Sequence, residues 1–208
     1  MKYRICFFAA LTAGALMAWG GAVSSAEAQF GPQPLNQAYY QSTTVARANP
    51  IGLISRLNVQ YRRRLFQSNS IFLRDNHLGI GLFTQLSPAF ARVGPRVEFK
   101  PLPMVVLYAN YELVGYLGTF GHLNSYADPN ADFSDTELSI SDDLEENYSS
   151  FGRELTLGLI TQIKVGPLAI RANTRLIQGD YTLEDGDSYF YDPVYDALRE
   201  NGGWLLTS

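Results

Sequence analysis

The residues best placed to act on a ligand are nine basic side chains that recur at alternate positions of several chain segments. They are Arg56, Arg62, Arg64, Arg92, Arg96, Lys100, Lys164, Arg171 and Arg175. Each lies on the polar side of a segment whose other side is apolar. If these segments enclose a space, the cations line it, and rings of Arg or Lys favour anions. The structural alternative is that they pair with Glu98, Glu112 and Glu154 and fill a narrow interior.

Acidic residues concentrate in two other segments. Residues 118–150 contain eight Asp or Glu and no Lys or Arg, and residues 179–203 contain seven against Arg199 alone. Such carboxylates could bind divalent cations that bridge anionic surface lipid, but the sequence Glu184-Asp185-Gly186-Asp187 lacks the twelve-residue spacing of a calcium loop. The simpler interpretation is two solvated acidic loops. The sequence therefore predicts no metal site.

Catalytic chemistry has little support in the sequence. The chain has two histidines, His77 and His122, and none of the motifs GxSxG, HExxH or the phosphate loop. A hydrolase that used His122 with Asp128 and Asp132 is the enzyme alternative. The sequence predicts no enzyme and no cofactor. It also predicts no nucleic-acid binding, because the formal net charge is −4 and the arginines alternate with apolar residues.

The nine basic residues lie in segments where apolar and polar residues alternate with a period of two, as in β-strands. This alternation covers six segments of 10 to 16 residues, with a further strand beginning at Trp204: 51–66, 77–86, 89–100, 104–117, 151–165 and 168–178. Soluble strands usually have about five or six residues, whereas a tilted strand needs roughly 9–11 to cross a bilayer. The apolar sides of these segments contain no Asp, Glu, Lys or Arg. A lipid-facing surface excludes charge, so the pattern favours transmembrane strands over a soluble sandwich.

The first 28 residues have the features of a secretory signal peptide. Lys2 and Arg4 precede an apolar run over 5–23, and Ala26-Glu27-Ala28 is a small-x-small cleavage site. The predicted mature chain begins at Gln29. An N-terminal membrane anchor is the alternative, and the glycines inside the apolar run make it the weaker one.

The segment Ser87–Pro95, followed by Pro101 and Tyr108–Leu113, resembles uncharacterised, porin-like bacterial outer-membrane β-barrel proteins. The resemblance covers the signal peptide and residues 51–178. It implies an outer-membrane location and contact with outer-membrane lipid and with the export and barrel-assembly machinery. It also implies a channel or structural envelope role, with small solutes or ions as cargo. Barrels of this kind commonly end in Phe or Trp, whereas this chain ends Leu206-Thr207-Ser208.

The sequence thus predicts an all-β fold, specifically an antiparallel transmembrane β-barrel with six to eight strands in this chain. The smallest closed bacterial barrels have eight strands. We therefore expect a fragment of a longer barrel, unless protomers share one barrel or strands such as 38–46 complete it. The expected organisation is a signal peptide at 1–28, an N-terminal segment at 29–50 and a barrel region at 51–208. Pro95 predicts a bulge or bend within its strand. The alternative class is a secreted or periplasmic soluble β-sandwich or lipid-binding barrel.

Overall fold

The computed structural model describes residues 34–48, 51–70, 72–117, 123–134, 136–137, 148–192, 194–195 and 197–208. The predicted signal peptide and His122 lie outside these ranges. The strands are β1 (Asn36–Ala48), β2 (Ile51–Arg63), β3 (His77–Leu86), β4 (Phe90–Leu102), β5 (Val105–Leu117), β6 (Ser125–Tyr126), β7 (Ser149–Val165), β8 (Leu168–Tyr181), β9 (Tyr189–Asp192), β10 (Ala197–Glu200) and β11 (Trp204–Thr207).

Eight of these strands form one antiparallel sheet in the order β1-β2-β3-β4-β5-β7-β8-β11. The predicted all-β, antiparallel architecture is therefore confirmed. The predicted closure into a barrel is not seen. Among the described residues, β1 and β11 are the two edges of the sheet and do not pair with each other. β11 pairs with only four residues of β8, from Arg175 to Gln178.

The two ends of the sheet carry different connections. At one end, which we call the turn end, two residues connect β4 to β5 and two connect β7 to β8. The thirteen-residue connection 64–76 between β2 and β3 lies at the same end. At the opposite end, the loop end, two long segments join β5 to β7 and β8 to β11. The long predicted loops 118–150 and 179–203 thus emerge side by side.

Those two loops contain structure that the sequence did not predict. Strands β6, β9 and β10 form a second sheet in the order β10-β9-β6. Leu123, two residues before β6, and Phe190 of β9 pack into a buried cluster with Phe90, Tyr116 and Tyr181 of the main sheet. We call the described residues 123–126, 189–192, 194–195 and 197–200 the cap, because they cover one face of the main sheet at its loop end. Each strand is too short to show a period-two signal.

The pairing of strand β4 tests the bulge or bend expected at Pro95. The register of β4 with β5 is unchanged on either side of Gly94-Pro95, with Val93 opposite Leu113 and Arg96 opposite Asn110. The register shift falls between Phe99 and Leu102. The prediction of a bulge at Pro95 was wrong, because proline lacks an N–H but leaves the pairing of its neighbours in place.

Candidate functional site

The main sheet is inverted relative to a soluble protein, since its polar face is buried and its apolar face is exposed. On β4, Arg92 and Glu98 are buried, whereas Val93 and Val97 are 44% and 45% exposed. The exposed apolar side chains of this outer face include Leu57, Val59, Ile80, Leu82, Leu107, Leu113, Leu157, Leu159, Ile163, Ile170 and Leu176. Charged side chains are rarely buried unless they are paired. The candidate site is therefore the inner, polar face.

Near the turn end, the inner face is organised around the carboxylate of Glu98. It accepts hydrogen bonds from Arg62 Nη2 at 2.9 Å and Arg96 Nη2 at 3.0 Å, and His77 Nε2 lies 3.0 Å away. We call these four residues the turn-end charge cluster. The Arg62 guanidinium also lies 3.4 Å from the centre of the Tyr39 ring. The cluster thereby connects β1, β2, β3 and β4.

A second group of buried charges connects the main sheet to the cap. The loop-end charge cluster consists of Arg92, Glu154, Asp192 and Arg199. Arg92 Nη1 lies 2.6 Å from Glu154 Oε1, and Arg199 Nη1 lies 3.2 Å from Glu154 Oε2 and 2.6 Å from Asp192 Oδ2. Burial alone would lower the pKa of Arg199, but the Asp192 and Glu154 carboxylates raise it overall. Arg199 therefore remains a cation that fastens the cap to β7.

Between the two clusters lies a polar cavity of about 180 Å³. Its wall is formed by side chains from β2, β3, β4, β5, β7 and β8, so the sheet curls around it, and by the cap residues Val194 and Tyr195. Its charged and strongly polar members are Arg56, Gln85, Arg92, Arg96, Asn110, Glu112, Glu154, Asn173 and Arg175. Burial raises the pKa of Tyr195 to about 12, so its hydroxyl remains protonated at neutral pH.

A glycine and a tyrosine shape one wall of the cavity. Tyr108 of β5 stands opposite Gly158 of β7, and a side chain at position 158 would overlap the tyrosine ring. The tyrosine hydroxyl donates to Asn173 Oδ1 at 3.1 Å. The Arg96 guanidinium stacks 4.1 Å from the ring centre. Tyr108 therefore holds Arg96 against the wall by a cation–π contact.

The structure places the nine predicted basic residues in four different surroundings. Four line the cavity: Arg56, Arg92, Arg96 and Arg175. Arg62 belongs to the turn-end cluster, and half-buried Lys100 pairs with Asp75. Arg64 is half-buried just beyond the end of β2. Lys164 and Arg171 are exposed near the turn end of β7 and β8. The sequence did not single out Arg199, although it is the one basic residue among fifteen loop acids.

Other chemistry has no geometric support in the part of the chain that the structure describes. His77 is held by Glu98, and no group of three or more His, Cys, Asp or Glu residues there could hold a metal ion. Within the same residues, no helix is long and apolar enough to span a membrane. The outer face carries a shallow apolar depression of about 480 Å³, lined in part by Phe99, Leu107 and Leu159.

Comparison with protein-family models, curated proteins and solved structures found no match to this chain.

Proposed function

We propose that this chain is an outer-membrane protein of porin-like architecture, with strands that cross the bilayer and a narrow, charged interior. The observation that carries the proposal is the inverted burial of the main sheet. An outer face of Leu, Val and Ile exposed to water would be unfavourable over so large an area, whereas in hydrocarbon it needs no cover. A strand such as β5, with thirteen residues, is long enough to span the hydrocarbon core when tilted.

Membrane insertion adds a requirement for the sheet edges. Backbone N–H and C=O groups in hydrocarbon must be hydrogen-bonded, so an open sheet edge is not stable there. We therefore propose that the two edge strands, β1 and β11, are paired in the membrane, either with each other or with the corresponding edges of a second copy. Outer-membrane lipid and the export and assembly machinery are the partners that this proposal implies.

The interior favours a structural envelope role over that of a wide pore. Two charge clusters and the cap fill the inner face, leaving the cavity of about 180 Å³ between them. The second candidate is a narrow conduit for anions, which is favoured by the four arginines that face two glutamates across this cavity. Reversal potentials in planar bilayers under a KCl gradient test it. Anion preference supports a conduit, and cation preference contradicts it.

The soluble alternative fits the geometry less well. A lipid-binding barrel or β-sandwich keeps its apolar side chains inside, where they contact lipid or each other. Here the cavity on the inner face is lined mainly by arginine, glutamate and amide side chains, and most leucines of the long strands are exposed on the outer face. These observations favour the membrane protein.

Cell fractionation with the full-length chain tests the proposal directly. We expect the protein in the outer-membrane fraction, resistant to carbonate extraction, with a gel mobility that changes on heating. A control strain that expresses a soluble periplasmic protein calibrates the extraction. Release of the chain into the periplasmic fraction without detergent would contradict the proposal.

A further inference from the structure

The cavity between the charge clusters has more hydrogen-bond donors than the protein uses. Arg92 Nε and Nη2, Arg96 Nε, Arg175 Nε and Gln85 Nε2 are buried, and no described protein atom accepts a hydrogen bond from them. Arg92 and Arg96 are only 3% and 8% exposed. Buried donors are normally satisfied, and those on charged groups are the most costly to leave without an acceptor.

The charge of the cavity points to the same kind of ligand. Arg56, Arg92, Arg96 and Arg175 line it against Glu112 and Glu154, which leaves two positive charges in excess. Neighbouring acids use only part of this charge, since Arg92 pairs with Glu154 and Arg96 pairs with Glu98 outside the cavity. Arg175 donates to Thr207 Oγ1 and to the Tyr195 hydroxyl, both neutral acceptors.

We propose that this cavity is a binding site for one small, doubly charged oxyanion, of the size and geometry of phosphate or sulfate. The guanidinium groups of Arg92, Arg96 and Arg175 would donate to its oxygens, in the charge-assisted geometry that arginine provides for oxyanions. The volume fits, because 180 Å³ is about six times the ~30 Å³ that a water molecule occupies in the liquid. A tetrahedral ion of five heavy atoms therefore enters together with a few waters.

The site extends the proposed function and rests on it for the route by which an ion reaches the interior. Tyr195 and Val194 of the cap form part of its wall, so the cap covers part of the bound ion. A lipid headgroup carries the same phosphate chemistry but has two acyl chains attached. A polar cavity of about 180 Å³ has no room for acyl chains, so it favours the free ion over a lipid headgroup.

Isothermal titration of the folded, detergent-solubilised protein with inorganic phosphate and, separately, with sulfate tests the proposal. All titrations are made at constant ionic strength in chloride. We expect saturable binding with one ion per chain. Arg175→Gln should weaken it by about tenfold or more, because a hydrogen bond to a charged group contributes about 1.5–3 kcal/mol. Glu112→Gln should strengthen binding, because it removes a carboxylate from the wall.

The matched control is Arg171→Gln, which makes the same change four residues along β8 at an exposed position outside the cavity. It should leave binding unchanged. Heat-modifiable mobility identifies variants that retain the fold, and only those are compared. A folded wild-type protein without saturable binding would overturn the proposal, as would equal weakening by Arg171→Gln and Arg175→Gln. Saturation by short-chain phosphatidic acid but not by inorganic phosphate would also overturn it.

Failure of this site and failure of the proposed function give different results. A protein that fractionates with the outer membrane but binds neither ion keeps its proposed function and lacks the site. Binding by a protein that is released into the periplasm would show the site without the membrane location.

Discussion

Replacing a single exposed leucine by arginine separates a lipid-facing sheet from a water-facing one. Leu157 stands at the middle of the seventeen-residue strand β7, lies between Ala109 and Leu176 on the neighbouring strands, and is 42% exposed. In water, a substitution at such a surface position changes the free energy of unfolding by no more than about 0.5 kcal/mol. At the centre of a bilayer, arginine costs about 2–4 kcal/mol on the lipid face of a β-barrel.

The expected cost corresponds to a fall of about 30-fold to 900-fold in the folded-to-unfolded ratio. Equilibrium urea unfolding in phospholipid vesicles, followed by the fluorescence of Trp204, measures it. The control is Leu65→Arg, because Leu65 is 41% exposed but lies in the β2–β3 connection, outside the strands. We expect Leu157→Arg to be destabilising and Leu65→Arg to be close to neutral. Equal small effects at both positions would refute the membrane placement of the outer face.

Three further predictions concern the cap, a connection and the sheet edges. Arg199→Gln should cost about 3–5 kcal/mol and make the cap sensitive to protease, because buried Asp192 loses its cation and Glu154 keeps only Arg92. Exposed Arg153→Gln should show no such sensitivity. Asn76→Ala should cost about 2 kcal/mol in urea unfolding, since this buried amide makes four hydrogen bonds within the β2–β3 connection. In vesicles, cysteines that replace Ser42 on β1 and Leu206 on β11 should be joined by a bismaleimide, within one chain or between two. Unlinked thiols would contradict paired edges.

The positions of the long strands were predictable, because period-two alternation is a local property of the sequence. His77–Leu86 was predicted with the bounds that the structure shows, and β1 covers Asn36–Ala48 around the candidate strand 38–46. The antiparallel order follows from short connections between consecutive strands. Closure was not predictable in this way, since it depends on the pairing of edges far apart in the sequence.

The cap and the pairing of charges lay beyond the sequence pattern. Tyr189–Asp192 is a four-residue strand, too short for alternation to distinguish it from a loop. Its partner Ser125–Tyr126 lies more than sixty residues earlier. The Arg92–Glu154 ion pair likewise joins residues 62 positions apart. The sequence supplied the charged face but not the register that decides which arginine meets which glutamate.

The burial of Arg199 was also not predictable from the sequence pattern, because it depends on contacts between distant residues. The excess of acids in the two loops made a solvated surface the natural expectation. The structure instead buries Arg199 and Asp192 against Glu154, because Phe190 of β9 packs onto the main sheet and brings its charged neighbours with it. Burial then makes the ion pairs obligatory, since an unpaired charge at this depth would be strongly unfavourable.

Site-directed fluorescence quenching along β7 in lipid vesicles tests the central claim most directly. Cys6, the chain's one cysteine, is replaced by serine, and single cysteines at 156, 157, 159 and 160 carry an environment-sensitive label. We predict strong quenching by a lipid-attached nitroxide at Leu157 and Leu159, and weak quenching at Thr156 and Ile160. Access of aqueous iodide to the labels at 157 and 159, without quenching from the lipid, would contradict an outer face that lies in the membrane.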